Sequence, residues 1–158
     1  MLSREKVLQT IKKAKQALGV EDVEFQIRFS RKPGKMRQRA EISIPSEDEA
    51  EIVLYPTATL FSVRHEVCHA KLFKMGIPLT NTEQDVALFR DPRNYMRMVI
   101  IVEWYINELQ RRVFHEYYAV DEAGTPKPPP FADLPKLPEE DFPPQQIDRI
   151  IEIAKGKN

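Results

Sequence analysis

The sequence predicts an α+β fold, a helix and three strands followed by further helices, rather than the strict β–α alternation of a parallel sheet. Three observations carry this reading. A capped apolar stripe at helical spacing opens the chain. Three short stretches of strand character follow it before Pro56, and helical periodicity then returns from Thr57 onward. Proline separates this body from the rest: eight of the 13 prolines fall between Gly124 and Pro144.

The elements follow in order. Ser3 is placed to cap a helix over Arg4–Leu18, with Val7, Leu8, Ile11, Ala14 and Leu18 as its apolar stripe and Gly19 just past its end. Val23, Phe25, Ile27 and Phe29 alternate with polar residues, the period of a half-buried strand. Ala40, Ile42 and Ile44 repeat that period, and Glu51–Tyr55 is a third strand. Pro56 and Thr57 open a helix running to Met75, closed by Gly76 with Lys71 and Lys74 in its last turns. A weaker helix is expected over Glu83–Phe89. Asp91-Pro92 then reads as a cap and an N1 proline before a long helix from about Arg93 to Tyr118. The small sheet is expected to be mainly antiparallel.

Residues 1–122 form the expected main domain, and residues 123–158 a proline-rich tether with a short amphipathic helix built on Ile147, Ile150, Ile151 and Ala154. The chain has 158 residues with 24 Lys+Arg and 24 Asp+Glu, so wholesale electrostatic attraction to nucleic acid is not expected. Charge is nevertheless uneven: the first 44 residues carry a surplus of cations, and the tail a surplus of acids. Five cations crowd the Arg31–Arg39 loop, which is either a solvated hairpin loop or a surface that steers an acidic substrate, binds nucleic acid weakly or receives the chain's own acidic tail. The single cysteine, Cys68, permits no internal disulfide, and no apolar run approaches the ~18 residues of a membrane span. A cytoplasmic protein is the expectation.

Chemistry concentrates in one place. His65-Glu66-Val67-Cys68-His69 is H-E-x-x-H inside the helix that starts near Thr57. Four residues advance an α-helix by about 400°, so both imidazoles leave one face and can meet one Zn2+. Glu66 lies about 100° round from His65, beside the metal, where it can hold the reacting water and take its proton as general base. Catalytic zinc commonly has three protein ligands. The metzincin extension is missing, because Leu72 and Met75 stand where its Gly and third His would be. Glu103, on the long second helix among Ile100, Ile101, Val102 and Trp104, is the best third ligand, since an unpaired carboxylate there would be costly. Asn107, four residues on, lies on the same face and can hydrogen-bond a ligating histidine.

H-E-x-x-H followed some thirty residues later by E-x-x-x-N on a second helix resembles the gluzincin metallopeptidases. The small size and the helix and strands ahead of the motif most resemble the soluble minimal gluzincins, or minigluzincins, which are similar to the catalytic cores of membrane CaaX-type proteases. The resemblance covers roughly Leu2–Tyr118 and rests on His65, Glu66, His69, Glu103 and Asn107. It implies a zincin-like fold, a zinc metalloendopeptidase with Glu103 as third ligand, and an oxyanion-stabilising side chain for which Arg111 and Tyr105 are candidates. The substrate would be a peptide in extended conformation, added to the strand nearest the motif helix. The acidic tail could act as a pseudo-substrate that keeps the enzyme latent. Two rivals accompany this reading. One is a zinc-containing regulatory or binding module without peptidase activity. The other is a SprT-like protease acting on nucleic-acid-bound proteins, with His115 in place of Glu103; yet His115 lies in a polar stretch about 18 Å along the helix from Glu103.

Overall fold

The structure, a computed structural model, describes residues 2–35, 38–77, 79 and 92–116. The expected Glu83–Phe89 helix and everything assigned to residues 123–158 lie outside them. The chain divides into two units, Met1–Lys74 and Met75–Asn158. The described elements are α+β: three helices and one three-stranded mixed sheet.

The first unit opens with α1 (Arg4–Leu18), with the bounds that its caps predict. Ser3 Oγ accepts a hydrogen bond from the Lys6 N–H, satisfying one of the donors that a helix start leaves over. At the other end Gly19 takes φ 69°, and its N–H and that of Val20 bond back to Gln16 and Lys15. That left-handed turn suits glycine because no Cβ meets the following carbonyl. Val7, Ile11, Ala14 and Leu18 are buried, as the stripe requires. Leu8 departs from it at 47% exposed: one residue past Val7, it is turned about 100° off the buried line.

Strands β1 (Glu24–Phe29), β2 (Ala40–Ser46) and β3 (Glu49–Leu54) make the sheet in the order β1-β3-β2. The expectation of a mainly antiparallel sheet needs correction. β2 and β3 pair antiparallel across the tight Glu47-Asp48 connection, but β1 pairs parallel to β3, with Ile27 opposite Ile52. Chain direction does alternate from strand to strand. The loop from β1 to β2, however, crosses the end of β3, so β3 inserts between the first two strands. Two hydrogen bonds secure the crossing, Ser30 N–H to Leu54 O and Tyr55 N–H to Arg39 O. Ala40, Ile42, Ala50, Ile52, Val53 and Leu54 form the buried part of the sheet. Against β1 lie two cations of α1, Arg4 with Cζ 5.4 Å from the Phe29 ring and Lys15 with Nζ 5.9 Å from Phe25.

Helix α2 (Leu60–Lys74) packs on α1 and on β2 and β3. It begins three residues later than the Pro56-Thr57 signal suggests, because Tyr55–Ala58 is a turn and Thr59 is the residue that caps it. Thr59 and Ser62 bond reciprocally, side chain to backbone N–H in both directions. Buried residues run from Ser62 to Leu72 and include Val63, Val67, Cys68 and Ala70, so α2 is enclosed on most sides. Asp22, just before β1, binds Lys74 in the last turn of α2.

In the second unit, α3 (Pro92–Phe114) starts at the proline expected of an N1 position. It stops before the expected Tyr118: His115 takes φ 55°, and the Glu116 N–H bonds to Gln110 O. Val102, Tyr105, Ile106, Leu109 and Gln110 form its buried line. No helix among the described residues is long and apolar enough to cross a membrane.

Candidate metal centre

The α2 backbone does for His65 and His69 what the spacing requires. One turn apart on the same helix, their rings stand 5.1 Å centroid to centroid at 69° to each other. His69 is buried at 5% exposure, whereas His65 is half-buried. Glu66 is buried at 7% exposure, a position a carboxylate occupies only with compensating partners.

Glu103 of α3 is half-buried at the margin of the apolar line that Val102 and Ile106 define. His65, His69 and Glu103 each offer one ligand atom, and those atoms all lie within 4.8 Å of one another. A tetrahedral zinc with 2.0–2.1 Å bonds sets its ligand atoms about 3.4 Å apart, a separation compatible with a group whose ligand atoms all lie within 4.8 Å. Two imidazoles and a carboxylate are nitrogen and oxygen donors of the kind that zinc takes in open, reactive sites. This group can hold a metal ion. Its chemistry alone does not select which one, since the same donors also serve other first-row divalent ions.

Asn107, one turn beyond Glu103, adds an independent observation. Its Oδ1 is buried and makes no hydrogen bond. A buried acceptor in that state costs about 1–3 kcal/mol, which a bond to a donor would recover. The Nδ1 atom of His69 is also buried, so the chain holds a buried imidazole nitrogen and a buried amide oxygen of complementary character.

The remaining candidates are placed as follows. Tyr105 is buried at 2% exposure, two residues past Glu103 and therefore about 200° round α3 from it. Arg111 is exposed in the last turn of α3. His115 is exposed beyond the end of the helix and is not among the three clustered ligands. Cys68 is fully buried and is a free thiol.

What the sequence reading lacked was the ground on which the Arg31–Arg39 loop rests. Gly34 lies so close to Tyr55 that a Cβ there would come within 2.8 Å of the ring and 2.5 Å of Gln38 O. Tyr55 in turn donates its phenol proton to Glu41 Oε2 at 2.8 Å. No local pattern announces either contact, because both join residues that come together only when β3 inserts beside β2.

No family model, no curated protein and no solved structure matches this chain.

Proposed function

We propose that the protein is a zinc-dependent metallopeptidase of gluzincin type with a zincin-like fold, hydrolysing peptide bonds in extended substrates. The observation that carries this reading is the convergence of His65, His69 and Glu103 ligand atoms within 4.8 Å, with the buried carboxylate of Glu66 next to His65 in the chain. A zinc ion held by those three residues would supply Lewis acidity toward a peptide carbonyl.

The chain's own residues do the rest. Glu66, adjacent to one ligand and shielded from bulk water, takes a proton from the attacking water and passes it to the leaving amine. Asn107 Oδ1 accepts the N–H of a ligating histidine, fixing the tautomer that leaves the other nitrogen's lone pair for the metal. The unsatisfied state of that oxygen supports the assignment, since the bond would remove a cost the fold otherwise carries. Tyr105 and Arg111 remain the candidates for holding the oxyanion, and the acidic tail remains a candidate pseudo-substrate.

The deciding experiment is zinc content per chain in the full-length protein and in Glu103→Ala and His115→Ala. Near one zinc per chain in the parent, lost in Glu103→Ala and kept in His115→Ala, is the expected result. Retention in Glu103→Ala with loss in His115→Ala would transfer the third ligand and favour the SprT-like reading. A chain that takes no zinc from metal-replete buffer would overturn the metallopeptidase reading altogether.

A further inference from the structure

The sheet of the first unit has two edges, and they differ. β2, the edge that packs against α2, carries Pro45 and breaks register with β3 between Ser43 and Ser46. A proline and an irregularity both discourage an edge from pairing with another chain. β1, on the opposite edge, has neither: its register runs unbroken from Glu24 opposite Glu49 to Phe29 opposite Leu54. The Glu24 N–H bonds to Asp48 O and the Ser30 N–H to Leu54 O, so the even-numbered residues turn their backbone groups toward β3. Those of Phe25, Ile27 and Phe29 therefore point away from the sheet, where no strand among the described residues pairs with them.

The side chains of β1 say what fits this edge. Glu24, Gln26 and Arg28 are exposed on one face, and Phe25, Ile27 and Phe29 are half-buried on the other. Glu24 and Arg28 are opposite charges placed symmetrically about Gln26. When two β1 strands pair antiparallel about Gln26, Glu24 of each copy falls opposite Arg28 of the other. The same register makes Phe25 and Ile27 the pair that exchanges backbone hydrogen bonds, as their outward N–H and C=O groups require. Centring on Ile27 instead would set Glu24 opposite Ser30, without a countercharge, and parallel pairing in register would set like charges side by side. Arg28 already holds Glu51 through Nε at 3.3 Å, and its guanidinium fork has further donors.

Helix α1 flanks the other face of β1, with Arg4 Cζ 5.4 Å from the Phe29 ring and Lys15 Nζ 5.9 Å from that of Phe25. Leu8 lies within about 40° of both cations around α1, so it belongs to the flank that follows β1. At 47% exposed it is the most open large hydrophobic among the described residues, beside the edge where a second chain would arrive.

We propose that β1 is the contact between two copies of this chain, paired antiparallel about a two-fold axis at Gln26 so that two three-stranded sheets join into one. Backbone bonds and the cover given to Phe25, Ile27 and Leu8 hold the pair together. The Glu24–Arg28 pairs lie on the solvent side, so they select register and orientation more than they add affinity. The contact uses no residue of the proposed metal centre and does not rest on that reading.

The test is sedimentation of the full-length chain from about 1 µM to about 1 mM, where mass action should carry it reversibly from the mass of one chain to that of two. Arg28→Glu and Glu24→Arg should each weaken self-association at least tenfold by opposing like charges. An equimolar mixture of those two variants should recover it, because acids at both positions of one chain then meet arginines at both positions of the other. Gln26→Cys should cross-link two copies under mild oxidation, since opposite residues in such a pair have Cα atoms about 4.5 Å apart, within disulfide reach. Ser43→Cys, exposed on β2, should not, and the buried Cys68 takes no part. The mass of one chain at every concentration would overturn the proposal. So would association that ignores both charge reversals, variants with parental circular dichroism that fail to recover on mixing, or equal cross-linking at Gln26→Cys and Ser43→Cys. A monomer whose Gln26→Cys thiol resists alkylation would assign the edge to another segment of the same chain, and would overturn it as well.

Discussion

The imidazole rings of His65 and His69 stand 5.1 Å apart at 69°, both on α2, with buried Glu66 between them in the chain. If the site works as proposed, metal holding and proton transfer belong to different residues and separate by mutation. Glu66→Gln keeps the size and hydrogen-bonding reach of the side chain but removes its basicity. It should retain zinc at the parental level while turnover of a peptide substrate falls about 100- to 10,000-fold. Metal analysis beside a peptidase assay on the same preparation checks both halves.

The α1 caps should be measurable separately from the core. Ser3→Ala removes the acceptor for the Lys6 N–H and should cost about 1 kcal/mol in denaturant unfolding. Gly19→Ala meets no neighbour within 4 Å, so its cost should come from the φ of 69° alone, about 1–2 kcal/mol. Ile52→Ala, at a fully buried position on the central strand, should cost about 2–5 kcal/mol.

Acid sensitivity should trace in part to Asp22. The hydrogen bond from Lys74 holds its carboxyl below the ordinary value of 3.8, with the Lys74 and Lys15 charges acting in the same direction and partial desolvation opposing them. A carboxylate with a lowered folded-state pKa stabilises the fold above its unfolded value, and that contribution disappears as pH falls through the folded one. Asp22→Asn should therefore flatten the stability profile below about pH 4, with only a small change near neutrality because the pair is solvent-exposed. Chemical denaturation across pH 2–7 reads this directly.

At alkaline pH the informative group is Tyr55. Its hydrogen bond to the Glu41 carboxylate raises the phenol above the ordinary 10.0, and burial adds to the rise. A raised folded-state pKa contributes stability that is fully present below the unfolded value and is lost as pH climbs through the folded one. Difference spectra at 295 nm between the parent and Tyr55→Phe should show one phenol ionising late. Glu41→Gln should bring that ionisation earlier.

Much of the fold was legible because it is decided within a few residues. Ser3 and Gly19 bound α1 as read, since a cap needs only its own helix end. The start of α2 was misplaced by three residues because Pro56-Thr57 and Thr59-Ser62 are both plausible openings, and the Tyr55–Ala58 turn chooses the second. Leu8 looked like part of the α1 stripe because apolarity alone does not say how wide the covered face is. At the candidate site, the spacing of His65, Glu66 and His69 on one helix followed from the sequence, and Glu103 stood out as a carboxylate among apolar neighbours. The five cations of the Arg31–Arg39 loop were plain in the sequence, but the approach of Gly34 to Tyr55 had no local signal.

By itself the sequence determined both ends of α1, the start of α3, the strand periods and the helical face shared by the two histidines. All of these depend on hydrogen bonding and side-chain periodicity over one or two turns. The tertiary structure decided that β3 lies between β1 and β2, making one strand pair parallel, and that Glu103 joins His65 and His69 within 4.8 Å. It also decided that a basic loop is seated on Tyr55. These relationships join residues from about 20 to almost 40 positions apart, where many chain paths satisfy the same local preferences and only the packing of the whole selects among them.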